Sequence, residues 1–126
     1  MTRINCVPVE ELTGPHLVAE YRELPRVFKL MRAAQARGEN IRDPRNPRRY
    51  VLGTGHVRFF YDKGLYLLRR QKALVAEMQR RGYNPTYTDP AELLPDGLDL
   101  WRMMDWAPDA EALKLNRQRI AERTAA

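Results

Sequence analysis

Serine is missing from the 126 residues of this chain, so no Ser-His-Asp nucleophile can be assembled. Cysteine occurs once, at Cys6, which rules out an intrachain disulfide. One cysteine with two histidines, His16 and His56, is too few for an ordinary structural zinc site. Cys6 itself reads as a small buried apolar side chain rather than a reactive thiol. No phosphate-binding glycine loop is present. The GTG at Gly53–Gly55 lacks the third glycine and the strand-turn-helix setting of a dinucleotide site, and reads as a turn. No apolar stretch at the start suits a signal peptide, and no run of about 18 apolar residues follows. These absences predict a soluble chain in a reducing, cytoplasmic setting. No strand-like alternation is convincing anywhere, which predicts an all-α fold.

What the chain does have is arginine. Of 22 basic residues 18 are Arg and 4 are Lys, and the net charge is +6. Guanidinium forks match phosphates and base edges in two-point contacts, which points to a nucleic-acid partner. A solvated surface shaped by base composition is the alternative. The hydrophobic fraction of 44% suffices for one modest core, so residues 1–126 are expected to form one domain.

Three main helices are expected. The first begins after Thr13 as N-cap, with Pro15 in its first turn, and stops at Gly38. Leu17, Tyr21, Leu24, Phe28 and Met31 give it an apolar stripe, and Pro25 should bend it or loosen one turn. Residues 1–12 look extended or irregular, and 39–62 read mostly as loop. The arginines of that loop, Arg42, Arg45, Arg48, Arg49 and Arg58, face either phosphate or solvent. A second helix is expected over Asp62–Arg81, a short one at Asp89–Glu92, and a last one from near Pro108. On this last helix Lys114 with Arg117, and Arg119 with Arg123, form either a DNA-facing strip or a solvated face.

The segment Tyr21–Arg26, YRELPR, places Glu23 between Arg22 and Arg26 on the helix face opposite the apolar stripe. An i,i+3 Glu–Arg pair is also commonplace on helix surfaces. The N-terminus offers a reactive group. Thr is small enough for aminopeptidase to remove Met1 and free the α-amine of Thr2. An α-amine has a reference pKa of about 7.7–8.0, against about 10.4 for lysine, so roughly 10% is neutral at pH 7. Arg3, Arg22 and Arg26 nearby would lower that pKa further. A neutral amine attacks sugar carbons and forms imines.

Met1–Asn5 (MTRIN), His16–Phe28 (HLVAEYRELPRVF), Leu52–Lys63 (LGTGHVRFFYDK) and Arg69–Asn84 together resemble the pyrimidine-dimer DNA glycosylase family. The resemblance implies a compact three-helix fold with the N-terminal segment packed between helices. It implies a glycosylase with abasic-site lyase activity on UV-induced cyclobutane pyrimidine dimers in damaged double-stranded DNA, acting as a monomer, off the membrane, without metal or organic cofactor. Thr2 matches the family's nucleophile and Glu23 its essential carboxylate. Arg3, Arg22 and Arg26 match residues that hold phosphates and the lesion, and His16 a residue near the scissile sugar. Arg117 is the expected DNA contact on the last helix. His56, Phe59, Phe60 and Tyr61 match a segment read chiefly as core. The family archetype carries an aromatic- and lysine-rich tail associated with dimer recognition, whereas this sequence ends NRQRIAERTAA. Weaker discrimination for cyclobutane dimers, with abasic cleavage intact, is therefore expected. Trp101 and Trp106 lie before the last helix and are no obvious replacement for the tail; one or both are read as core. A non-catalytic basic DNA-binding module, an Arg-rich protein-interaction domain and a glycosylase or lyase for another lesion are the competing readings.

Overall fold

The first helix begins where the chain finds a cap. The Thr13 hydroxyl accepts the His16 N–H at 3.4 Å, and Pro15 occupies the first turn, where its missing N–H costs nothing. Helix α1 then runs over Gly14–Ala36. It ends as expected: Gly38 adopts φ +82°, and Gly38 and Glu39 donate back to the carbonyls of Gln35 and Ala34 at 2.9 and 3.1 Å. The computed structural model describes residues 2–125. Met1, whose removal the amine chemistry requires, lies outside them.

Pro25 does not break α1. Having no N–H, it leaves the carbonyl of Tyr21 without its helical donor, and the Gln71 amide Nε2 supplies one at 3.2 Å. Gln71 belongs to α2, Gly64–Arg80, which starts two residues later than expected. A Cβ on Gly64 would overlap the Met103 sulfur, so the helix begins where the 100–104 segment presses against it. The Asp89–Glu92 signal forms a single 3-10 turn over Pro90–Leu93, capped by the Asp89 carboxylate on the Ala91 N–H at 3.0 Å. The third helix, α3, spans Ala110–Ala125, capped by Asp109 on the Ala112 N–H at 2.8 Å. The described residues contain no strand, only a single bridge between Lys63 and Met103, and the fold is all-α.

The N-terminal segment passes between the helices without a sheet partner, so its buried backbone groups need side chains instead. The Ile4 N–H donates to His56 Nε2 at 2.8 Å, and the Ile4 carbonyl accepts the Tyr50 hydroxyl at 3.1 Å. Tyr66 donates to the Asn5 carbonyl at 3.0 Å, and Arg70 Nη1 to the Val7 carbonyl at 2.6 Å. Asn116 Oδ1 on α3 accepts both the Cys6 and Val7 N–H groups, at 2.7 and 3.1 Å. The segment is thus bound to α2, α3 and the loop between α1 and α2. Only its end turns, in a 3-10 turn at Val9–Glu11.

The sequence stripe on α1 needs one correction. Glu20, not Tyr21, is the fully buried member between Leu17 and Leu24. Its carboxylate takes Arg70 Nε at 2.7 Å and Nη2 at 3.0 Å, a two-point pair deep in the core. Burial pulls the Arg70 guanidinium down, but the Glu20 charge and hydrogen bonds outweigh it and hold it above its ordinary value. The aromatics behave as scaffold. Tyr50, Phe59, Phe60, Tyr66 and His56 are buried together, and Trp106 stacks on Tyr50 with ring centres 6.0 Å apart. Trp101 is half-buried beneath the Arg102 guanidinium, 4.1 Å from its ring centre. The loop between α1 and α2 uses some of its arginines structurally. Arg58 pairs with Glu39 at 2.9 Å, and Arg45 with Asp43 at 2.8 Å.

Candidate active site

Glu23 emerges from α1 one turn beyond Glu20. Its Oε2 accepts the Thr2 hydroxyl at 3.2 Å and lies 2.9 Å from Arg26 Nη1. The pinning of residues 4–7 brings this about, because it fixes where the first residues leave the core. Thr2 is half-buried and Glu23 keeps 27% of its side chain exposed, so the pair is shielded yet reachable from solvent.

The pair borders a small cleft of about 140 Å³ lined by Arg3, Asn5, His16, Glu23, Ile120 and Arg123. Arg3 is half-buried there. Its pKa is lowered first by burial and then by the neighbouring charges of Arg123 and Arg119. Two guanidiniums, those of Arg3 and Arg123, therefore line the cleft together, an arrangement that favours an anion between them. His16 lines the same cleft, and its Nδ1 is buried without a protein partner. That leaves the imidazole free to meet a bound group.

Arg22 faces elsewhere. Successive helix residues differ by about 100° in direction, and Arg22 lines a second, larger groove of about 540 Å³ between α1 and the 86–93 segment. Tyr21 ties that segment down by accepting the Tyr87 N–H at 2.9 Å and donating to the Tyr87 carbonyl at 3.3 Å. Tyr87 itself is 66% exposed. Gln71 Oε1 is buried at this groove without a partner, its amide nitrogen being engaged by Tyr21.

The structure thus brings Thr2, Arg3, His16, Glu23 and Arg26 together and sets Arg22 in the adjoining groove. Arg117 is not brought to either. It makes a two-point pair with Glu11 at 2.9 and 2.8 Å, near the root of the N-terminal segment. The α3 residues at the cleft are Ile120 and Arg123. The spacing of Arg119 and Arg123 on one face was the available signal for them. Asn5 and Glu20 were missed, although Glu20 stands three residues after Leu17 and four before Leu24, on the apolar stripe itself. Neither tryptophan lines the cleft or the groove beside Arg22.

Other chemistries find less support. Burial raises the Cys6 thiol to about 12, so it is protonated and inert at neutral pH. His56 accepts from Ile4 on Nε2 and therefore donates from Nδ1 to the Val51 carbonyl at 2.7 Å, which fixes the neutral tautomer. Burial lowers its pKa in the same sense. Among the described residues no three His, Cys, Asp or Glu side chains cluster to hold a metal ion, and no helix is long and apolar enough to cross a membrane.

The family model described as pyrimidine dimer DNA glycosylase covers residues 1–91. The matched span contains Thr2, Arg3, His16, Arg22, Glu23 and Arg26. It stops short of both tryptophans and all of α3.

Proposed function

The chain belongs to the pyrimidine dimer DNA glycosylase family, and on that premise we propose that it excises a damaged pyrimidine and cleaves the resulting abasic strand through the α-amine of Thr2. The observation that carries this reading is the Thr2–Glu23 contact at 3.2 Å, with Arg3 and Arg26 beside it.

With Met1 removed, the neutral Thr2 amine attacks C1′ of the lesion nucleotide. The N–C1′ bond forms as the glycosidic bond breaks, and the base leaves with the bonding electron pair and takes up a proton. Opening of the sugar ring gives an imine between Thr2 and C1′. The Glu23 carboxylate is close, so it stabilises the developing oxocarbenium and iminium charge. Its carboxylate then takes a C2′ proton. The electron pair shifts to a C2′–C3′ double bond, the C3′–O bond breaks and the 3′ phosphate departs. The guanidiniums of Arg3, Arg26 and Arg123 neutralise phosphates flanking that sugar.

The groove beside Arg22 fits an unstacked base. Its size lies in the range of small-ligand sites, Tyr87 offers a ring for stacking, and Gln71 Oε1 is an unused acceptor. A lesion that has lost stacking makes such extrusion cheaper. On DNA with a single abasic site the protein should nick the strand at that site and, under borohydride, become crosslinked to it. Absence of both nick and crosslink would remove this reading.

A further inference from the structure

The third helix lies outside the family match, yet one of its residues hydrogen-bonds the N-terminal segment that enters the site. We propose that Asn116 is a positioning residue for the Thr2 amine, a role that rests on the reaction assigned above.

Asn116 is fully buried. Its Oδ1 accepts two successive backbone N–H groups, from Cys6 and Val7, at 2.7 and 3.1 Å. Its Nδ2 donates to Asn5 Oδ1 at 2.8 Å. That bond orients the Asn5 amide, because Asn5 Nδ2 must then point the other way, toward Glu20 Oε1 at 2.9 Å. Glu20 is immobilised by Arg70 and stands one helical turn before Glu23. A chain of side chains therefore runs from α3 through the N-terminal segment to α1, and Asn5 and Glu20 both line the catalytic cleft. The segment has no sheet ladder to hold its register, so side chains alone set where Thr2 sits relative to Glu23. Both polar atoms of the Asn116 amide are used on this segment.

Geometry of this kind acts on the rate more than on affinity. Displacing a nucleophile by about 1 Å costs up to about 100-fold in rate, while phosphate contacts elsewhere are untouched. Asn116 lines neither the cleft nor the groove beside Arg22 and makes no hydrogen bond to Arg3, Arg26 or Arg123, so its removal lowers the rate by more than it lowers affinity.

The test uses Asn116→Asp and Asn116→Ala in the full chain with Met1 processed. Asn116→Asp keeps an oxygen for the Cys6 and Val7 N–H groups but turns the donor to Asn5 into an acceptor. Single-turnover cleavage of an abasic duplex and borohydride trapping give the rate. Binding to a duplex with an uncleavable tetrahydrofuran abasic analogue gives Kd, and circular dichroism at the assay temperature gives the folded fraction. The expected result for folded Asn116→Asp is a rate lower by about tenfold or more, with trapping slowed in parallel and Kd raised by a clearly smaller factor. A wild-type rate in that variant overturns the proposal, as does an affinity that falls by the same factor as the rate. Failure of both variants to fold also overturns it, because Asn116 would then serve folding alone. Wild-type protein that forms no Thr2 adduct refutes the assigned reaction instead, which keeps the two outcomes distinct.

Discussion

The Thr2 hydroxyl donates to Glu23 Oε2 at 3.2 Å across 21 residues of sequence. The contact joins a terminus, ordinarily the loosest part of a chain, to the middle of the longest helix. It exists because residues 4–7 are held by side chains from α2, α3 and the loop that carries Tyr50 and His56. The amine of a processed Thr2 would leave the same residue, beside the carboxylate that borders the cleft mouth.

Glu23→Gln should bind damaged DNA as wild type does and turn over about 100-fold or more slowly, the range for losing an acid/base group. The amide keeps the shape and can still meet Thr2 and Arg26, but it cannot take the C2′ proton. Single-turnover nicking of an abasic duplex measures this. Near-normal nicking would assign the proton transfer to another group.

The arginines should separate by location. Arg3→Ala and Arg123→Ala each remove one of the guanidiniums gathered at the cleft. Each should weaken DNA binding and flatten the salt dependence by about one unit of log–log slope for every phosphate that is no longer neutralised. Arg117→Ala should leave the slope unchanged, since Arg117 is taken up by Glu11. Titrations of a fluorescent duplex at several salt concentrations decide it. An unchanged slope for Arg123→Ala, with a lower one for Arg117→Ala, would invert the assignment of α3.

Much of this arrangement was legible in the sequence. Thr13, Pro15 and Gly38 punctuate α1 through local backbone chemistry, and local chemistry is what a sequence displays. The resemblance singled out Thr2, Glu23 and Arg26, which the structure brings into contact, and Arg22, which it sets in the adjoining groove. The network behind them was not legible, because Glu20 and Arg70 stand 50 residues apart and Asn5 and Asn116 stand 111 apart. Glu20 left one trace, a charge on an apolar stripe, and such a charge demands a partner. Arg70 stands likewise between Tyr66 and Leu74 on α2. The facing of α3 was hidden for a different reason. Among its described residues only Ala112 and Asn116 are buried, so no apolar stripe singled out Arg123 over Arg117.

Arg70→Met should destabilise the fold by about 3–5 kcal/mol, because it leaves Glu20 charged and buried without its guanidinium. Chemical denaturation measures the effect. Adding Glu20→Leu should recover a substantial part of it, since an apolar pair of similar volume needs no solvation. A change under about 1 kcal/mol for Arg70→Met would show that water or another cation reaches Glu20.

His56 should give the fold a pH dependence of known sign. Its pKa in the folded chain is below the ordinary 6.5, because it is buried and accepts from Ile4 on Nε2. Below pH 6.5 the unfolded chain therefore binds a proton that the folded chain refuses, and stability falls as pH falls, from 6.5 down to the lowered value. The slope contributed is at most about 1.4 kcal/mol per pH unit. Denaturation between pH 5 and 8 should show it in the wild type and not in His56→Gln, which cannot titrate. The same slope in both proteins would locate the titration elsewhere.

The central claim is that the Thr2 amine is the nucleophile. Borohydride trapping on a duplex with one abasic site, followed by proteolysis and mass spectrometry of the crosslinked peptide, tests it directly. A Thr2 nucleophile leaves a single adduct on an N-terminal peptide that begins at Thr2, attached through its α-nitrogen. An adduct on any of the four lysines, or an adduct of undiminished yield when Met1 is retained, would contradict it.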